Sequence, residues 1–148
     1  MTAARLAARC VELLDGVGGP IAVSAPPDVA AALAARVPVA GDDAPDVPIS
    51  GAVCVLLGTR IDEPARAAAW DALGARLASG APVVVVDHNQ PRTLARRALG
   101  VLALATRGLP PERARHPVAR EVNGHGFTIE RLRLEDGERV QILLARRR

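Results

Sequence analysis

Asp87-His88-Asn89 follows four consecutive valines, Val83–Val86, and is the triplet in this 148-residue chain best placed to do chemistry. An unbroken β-branched run suits a strand covered on both faces. In an open α/β sheet, ligands gather beyond the carboxyl ends of such strands. A neutral imidazole with a pKa near ~6.5 makes His88 a candidate base for a hydroxyl or amine acceptor. Asn89 would then orient a substrate, and Asp87 would fix the loop. The same residues equally suit a turn that caps the following helix. Three adjacent side chains do not converge on one ion, so no metal site is expected.

Arg92, Arg96 and Arg97 come next and offer guanidinium groups to an anionic substrate; a solvated surface is the competing use. His116 and His125 stand beside Pro117 and Gly124 and read as structural. Cys10 and Cys54 sit within apolar runs with no CxxC or Cys/His cluster, as buried free thiols do, and a reducing cytoplasm is the expected compartment.

The elements that must position these groups alternate between helix and strand. Residues 2–14 repeat apolar positions at Leu6, Cys10, Leu13 and Leu14, which predicts an amphipathic helix. Asp15–Pro20 stops it, and Ile21–Ala25 follows as a short strand. A second helix opens at Pro26-Pro27-Asp28 with Val29, Leu33 and Val37 on one face. Val37–Ala40 reads as a brief strand and 42–50 as loop. Ala52–Leu57 is a strongly apolar strand ending at Gly58-Thr59. Asp62 caps the next helix, with Pro64 in its first turn and Trp70, Leu73 and Leu77 inward. After the 81–90 strand, a helix from about Pro91 to Arg107 is expected to turn Leu94, Ala98, Val101, Leu102 and Ala105 inward. A short helix near 117–122 leads to a hairpin, 127–134 and 139–145, across the Asp136-Gly137 turn. The pattern predicts one α/β domain over 1–148: a three-layer, Rossmann-like, mostly parallel sheet with a C-terminal antiparallel hairpin and its reversed strand at the edge.

Composition bounds the partners. The chain is 49% hydrophobic but only 1% aromatic, so its core is Ala, Val and Leu. Every basic residue is Arg, and the charge is uneven: 6 Arg against 10 acids over 1–89, then 13 Arg against 6 acids over 90–148. Without interleaved aromatics for base stacking, a nucleic-acid partner is not expected. No apolar run approaches the ~18 residues of a bilayer span, and no signal peptide is apparent, so no membrane partner is expected.

The C-terminal two-thirds resembles the class I S-adenosylmethionine-dependent methyltransferases. Ala52–Leu57 followed by Asp62-Glu63-Pro64 is similar to the family's fourth strand and the helix after it. Leu77–Asp87 (LASGAPVVVVD) is similar to its fifth strand, and Val118–Phe127 (VAREVNGHGF) to its late helix entering "GF". The final hairpin is placed as in that family. The resemblance implies a Rossmann-like fold, S-adenosylmethionine as cofactor, and methyl transfer to an O or N of a small molecule. It places the cofactor against Ser24, Ala25, Leu57 and Gly58, with Asp42 and Asp43 as acceptors for the ribose hydroxyls or near the adenine. GDDAPD is also an ordinary turn. His88 would be the base, and Asn89 and Arg92 would meet the substrate; a second copy or a partner subunit would complete the pocket wall.

The N-terminal third departs from the family. A glycine turn should follow the first strand, where missing side chains let the main chain approach the cofactor. If Val11–Asp15 is that strand, Gly16–Gly19 is a shortened turn; if Ile21–Ala25 is, the preferred placement, Ser24–Asp28 contains no glycine. Residues 37–50 hold room for one short strand where the family has two strands and a helix. The rival expectation is therefore a non-catalytic Rossmann-like subunit or interaction module that has lost cofactor binding.

Overall fold

The computed structural model describes residues 1–40 and 48–148. In chain order it contains α1 (Ala3–Leu13), β1 (Ile21–Ser24), α2 (Pro27–Ala34), β2 (Gly51–Val55), α3 (Glu63–Arg76) and β3 (Pro82–His88). Then come α4 (Leu94–Ala105), a 3₁₀ turn (Pro111–Arg115), α5 (Val118–Gly124), β4 (Phe127–Glu135) and β5 (Val140–Arg147). The Thr2 hydroxyl caps α1, and the Asp62 carboxylate caps α3 at the Ala65 N–H, with Pro64 where no N–H is needed.

The sheet order is β1-β2-β3-β5-β4, with β1, β2 and β3 parallel and β5 antiparallel to both of its neighbours. Alternation along the strands divides the core in two. Val53, Val55, Val84 and Val86 face α1 and α2, while Ala52, Cys54, Val83 and Val85 face α3 and α5. The result is a three-layer, Rossmann-like fold. All four β3 valines are fully buried, each contributing roughly 1.5–3 kcal/mol relative to exposure. Trp70 and Phe127 meet edge to face at 6.1 Å on the α3 side, with the Arg147 guanidinium over the Phe127 ring.

Three expectations change. The reversed strand is not at the edge: β5 lies between β3 and β4, and β4 is the edge. The burial explains the choice, since Val140–Ala145 is continuously buried whereas β4 keeps Thr128, Glu130, Arg131 and Leu132 exposed. The Val37–Ala40 strand shrinks to one parallel bridge, Ile21 to Val39. Finally, α4 is turned over. Leu94 and Leu102 are 80% and 61% exposed, Ala98, Val101 and Ala105 also face out, and Leu104 is its one buried residue. The periodicity was that of an amphipathic helix, but periodicity alone does not say which face the body takes.

Candidate functional site

β1 leads into α2 on one face of the sheet, and its neighbour β2 leads toward α3 on the other. Neighbouring parallel strands whose connections leave in opposite directions open a crevice at their carboxyl ends. Two cavities flank that edge. On the α3 side, a cavity of about 340 Å³ is lined by Ala22 and Ser24 of β1, Cys54 and Leu56 at β2, and Arg66 and Trp70 of α3. On the α2 side, a cavity of about 240 Å³ is lined by Pro26, Asp28, Leu57, Gly58, Arg107 and Asp136. The turn between β1 and α2 is Ala25-Pro26-Pro27. The Val29 and Ala30 N–H groups already donate to the Pro26 carbonyl, and the two prolines have no N–H to offer.

The carboxyl end of β3 is occupied by its own protein groups. Asp87 points to the α3 side and is fully buried, as is Arg113. Both Asp87 oxygens accept from the Arg113 guanidinium, Oδ2 from Nη1 at 3.1 Å and Oδ1 from Nη2. The same guanidinium donates to the main-chain carbonyls of Thr59 (2.8 Å) and Leu56 (3.0 Å), fastening the segment after β2. Burial pushes the Asp87 carboxyl pKa up, against the pull of Arg113 and its own hydrogen bonds. Arg66 lies 3.8 Å from Asp87 and grips Glu121 with two hydrogen bonds of 2.9 and 2.8 Å. Trp70 Nε1 donates to Glu121 at 2.6 Å, and His116 Nε2 lies 2.5 Å from its other oxygen. Burial alone would raise the Glu121 pKa; Arg66, His116 and Trp70 outweigh it and hold the carboxyl at about 2.

His88 faces the opposite side from Asp87. Its Nε2 accepts the Gly58 N–H at 3.1 Å, which puts the ring proton on Nδ1 and leaves the imidazole neutral. Burial first, then the positive charges of Arg113 and Arg107, lower its pKa to about 4. The lone pair that a base would use is thus holding the Gly58 turn, where φ is +82°. Asn89 donates to the Glu138 carbonyl at 2.7 Å and ties the β3 exit to the hairpin turn. Arg92 gives its main-chain N–H to the Glu138 carboxylate and leaves its side chain exposed.

The cofactor-binding residues expected from sequence therefore divide between the two cavities, Ser24 in one and Leu57 with Gly58 in the other. Ala25 packs against the α1–α2 core between them. Asp42 and Asp43 lie outside the described residues. His88, Asn89 and Arg92 are grouped around the hairpin turn and the Gly58 turn. Arg66, Arg113 and Glu121 were missed. Nothing in the sequence distinguishes the one fully buried arginine from the others; its one local signal is the Pro110-Pro111 that sets the turn carrying it. Cys10 and Cys54 are buried free thiols whose pKa values burial lifts to about 12, so neither is a thiolate nucleophile at neutral pH. No helix of the described residues is long and apolar enough to cross a membrane.

Several solved structures share this architecture. The pyocyanin biosynthetic protein PhzM matches 96% of this chain at a TM-score of 0.70 and 16% identity. The glycopeptide N-methyltransferase MtfA, complexed with S-adenosyl-L-homocysteine, matches all of it (100%) at 0.63 and 12%. The mitomycin 7-O-methyltransferase MmcR matches 99% at 0.59 and 19%. This chain spans 91% of MtfA but only 54% of PhzM and 53% of MmcR. No family model matches the chain, and no curated protein matches its sequence. At these identities the likeness establishes the fold, which is that of the class I S-adenosylmethionine-dependent methyltransferases.

Proposed function

We propose that this chain binds S-adenosylmethionine across the β1–β2 edge and transfers its methyl group to an oxygen or nitrogen of a small molecule. The observation that carries this reading is the pair of cavities on either side of that edge. Together they offer an apolar recess and a charged one to a ligand with a nucleoside limb and an amino-acid limb. The 340 Å³ recess, walled by Leu56, Cys54 and Trp70, falls in the size range of small-molecule sites, roughly 300–1,000 Å³. In the 240 Å³ recess, Arg107 would hold a carboxylate and Asp28 an ammonium. The residues present therefore fit the cofactor. When bound, it supplies an electrophilic sulfonium methyl that leaves by in-line displacement.

The protein's own residues would then act by placement. Arg113 and His88 hold the two ends of the segment 56–59, through the Leu56 and Thr59 carbonyls and the Gly58 N–H. This fixes the wall between the two recesses. For a displacement at carbon, such positioning supplies much of the rate. With His88 Nε2 engaged, the acceptor's proton leaves to water. Cys10 and Cys54 as free thiols suit a reducing compartment.

One observation favours the second reading, a non-catalytic module. Pro26-Pro27 removes two main-chain donors where the family presents a glycine turn. Calorimetry with S-adenosylhomocysteine separates the two. The proposed reading expects saturable heat with a Kd of about 1 mM or tighter, weakened roughly tenfold by Arg107→Ala. No heat at millimolar ligand leaves only the module.

A further inference from the structure

Arg66, Trp70 and Leu73 stand at i, i+4 and i+7 of α3 and so share the helix face that walls the 340 Å³ recess. Two of them are held from behind by one carboxylate. Trp70 Nε1 donates to Glu121 Oε1, and Arg66 donates to the same oxygen from Nε and to Oε2 from Nη2. Asp87, 3.8 Å from Arg66 Nη2, adds a second negative charge. The guanidinium charge is thus already answered. Its third nitrogen is not: Nη1 is buried, on a side chain 10% exposed, with no hydrogen-bond partner among the described residues. A buried donor left unmet costs the desolvation of that group, and an acceptor on a ligand would offset it.

The rest of the recess selects the acceptor. Trp70 has its N–H engaged and presents only its ring, and Leu56, Ala69 and Leu73 add apolar side chains. None of the described lining residues is a carboxylate, so a group rich in hydroxyl or amine donors finds no anionic side chain there. A further full anion would be set against Glu121 and Asp87, which already neutralise the guanidinium. The group that fits has apolar faces and a neutral acceptor on its edge, as a nitrogen heterocycle has. We propose that Arg66 determines base specificity in this recess: a purine lies against Trp70 and Leu56, and one of its ring nitrogens accepts from Nη1. The proposal rests on the reading that the nucleoside limb enters the α3-side recess, and it names the edge by which the base is recognised. Glu121 touches no ligand in this arrangement; it is a positioning residue that sets both Arg66 and Trp70.

Calorimetry on the full chain tests this by comparing S-adenosylhomocysteine with its 1-deaza, 3-deaza and 7-deaza analogues, each with a C–H in place of one ring nitrogen. One of the three should bind roughly tenfold to a hundredfold more weakly than the parent, as expected for losing a hydrogen bond to a charged donor. Arg66→Lys keeps a cation against Glu121 but removes Nη1, and circular dichroism checks its fold. It should bind the parent more weakly by a similar factor and no longer distinguish the sensitive analogue, a loss of discrimination that disturbed packing alone would not produce. Trp70, the chain's one tryptophan, reports the location: its fluorescence should change saturably with the parent at the Kd read from heat. Equal affinity for all three analogues overturns the inference and leaves the binding reading standing. Discrimination that survives in Arg66→Lys, or binding that leaves Trp70 fluorescence unchanged, does the same. No heat with the parent at millimolar concentration overturns both.

Discussion

Arg113 has no accessible surface, yet its charge is answered on every side, by both oxygens of Asp87 and by the carbonyls of Leu56 and Thr59. A buried pair of this kind adds little over a well-packed apolar pair, but breaking it strands a charge. Arg113→Met should therefore destabilise the protein by about 3–5 kcal/mol in urea unfolding. The double variant Arg113→Met/Asp87→Asn should recover part of that loss, because the stranded carboxylate is gone. Equal losses in the single and double variants would mean that packing, not charge, is what Arg113 provides. At this scale the sequence said least. Asp87, His88 and Asn89 were picked out because the valine run fixed where the strand ended, but their partners come from residues 26, 30 and 49 positions away. Contacts at that separation leave no periodic trace in a single chain.

The central strands were legible because burial on both faces forces a continuous apolar run, which β2 and β3 show and β5 shows over Ile142–Ala145. Helix existence was legible from the apolar repeat of one helical face, whereas the orientation of α4 was not. Its apolar stripe and its arginines were both visible, and the expectation that apolar means inward failed on the one helix whose outward face is bare. Helices α3 and α5 are joined by one carboxylate, since Glu121 of α5 takes hydrogen bonds from Arg66 and Trp70 of α3. The Glu121 pKa is depressed from 4.5 to about 2, so the folded state prefers the ionised form. Its stabilisation is fully present above pH 4.5 and is lost as pH falls from there through about 2. Thermal unfolding followed between pH 6 and 2 should show this loss in the wild type, and Glu121→Gln should flatten the part of the curve below about pH 4.5. An unchanged acid limb in that variant would show that Glu121 does not hold the two helices.

For the whole molecule, the order β1-β2-β3-β5-β4 places the crevice where the connections reverse, between β1 and β2. The fold class and the family resemblance could be read from residues 50–148, because those strands and helices keep their order and spacing. The N-terminal third was less legible, since Ser24–Asp28 has prolines where glycines were expected and, among the described residues, only the Ile21–Val39 bridge extends the sheet past β1. The central claim is that a cofactor crosses this edge. An amide-resolved NMR titration of the ¹⁵N-labelled chain with S-adenosylhomocysteine tests it most directly. Saturable shifts should cluster at Ser24, Ala25, Asp28, Leu57 and Gly58, with the α5 and β4 amides still. A spectrum unchanged at millimolar ligand, or shifts confined to residues away from the β1–β2 edge, would contradict it.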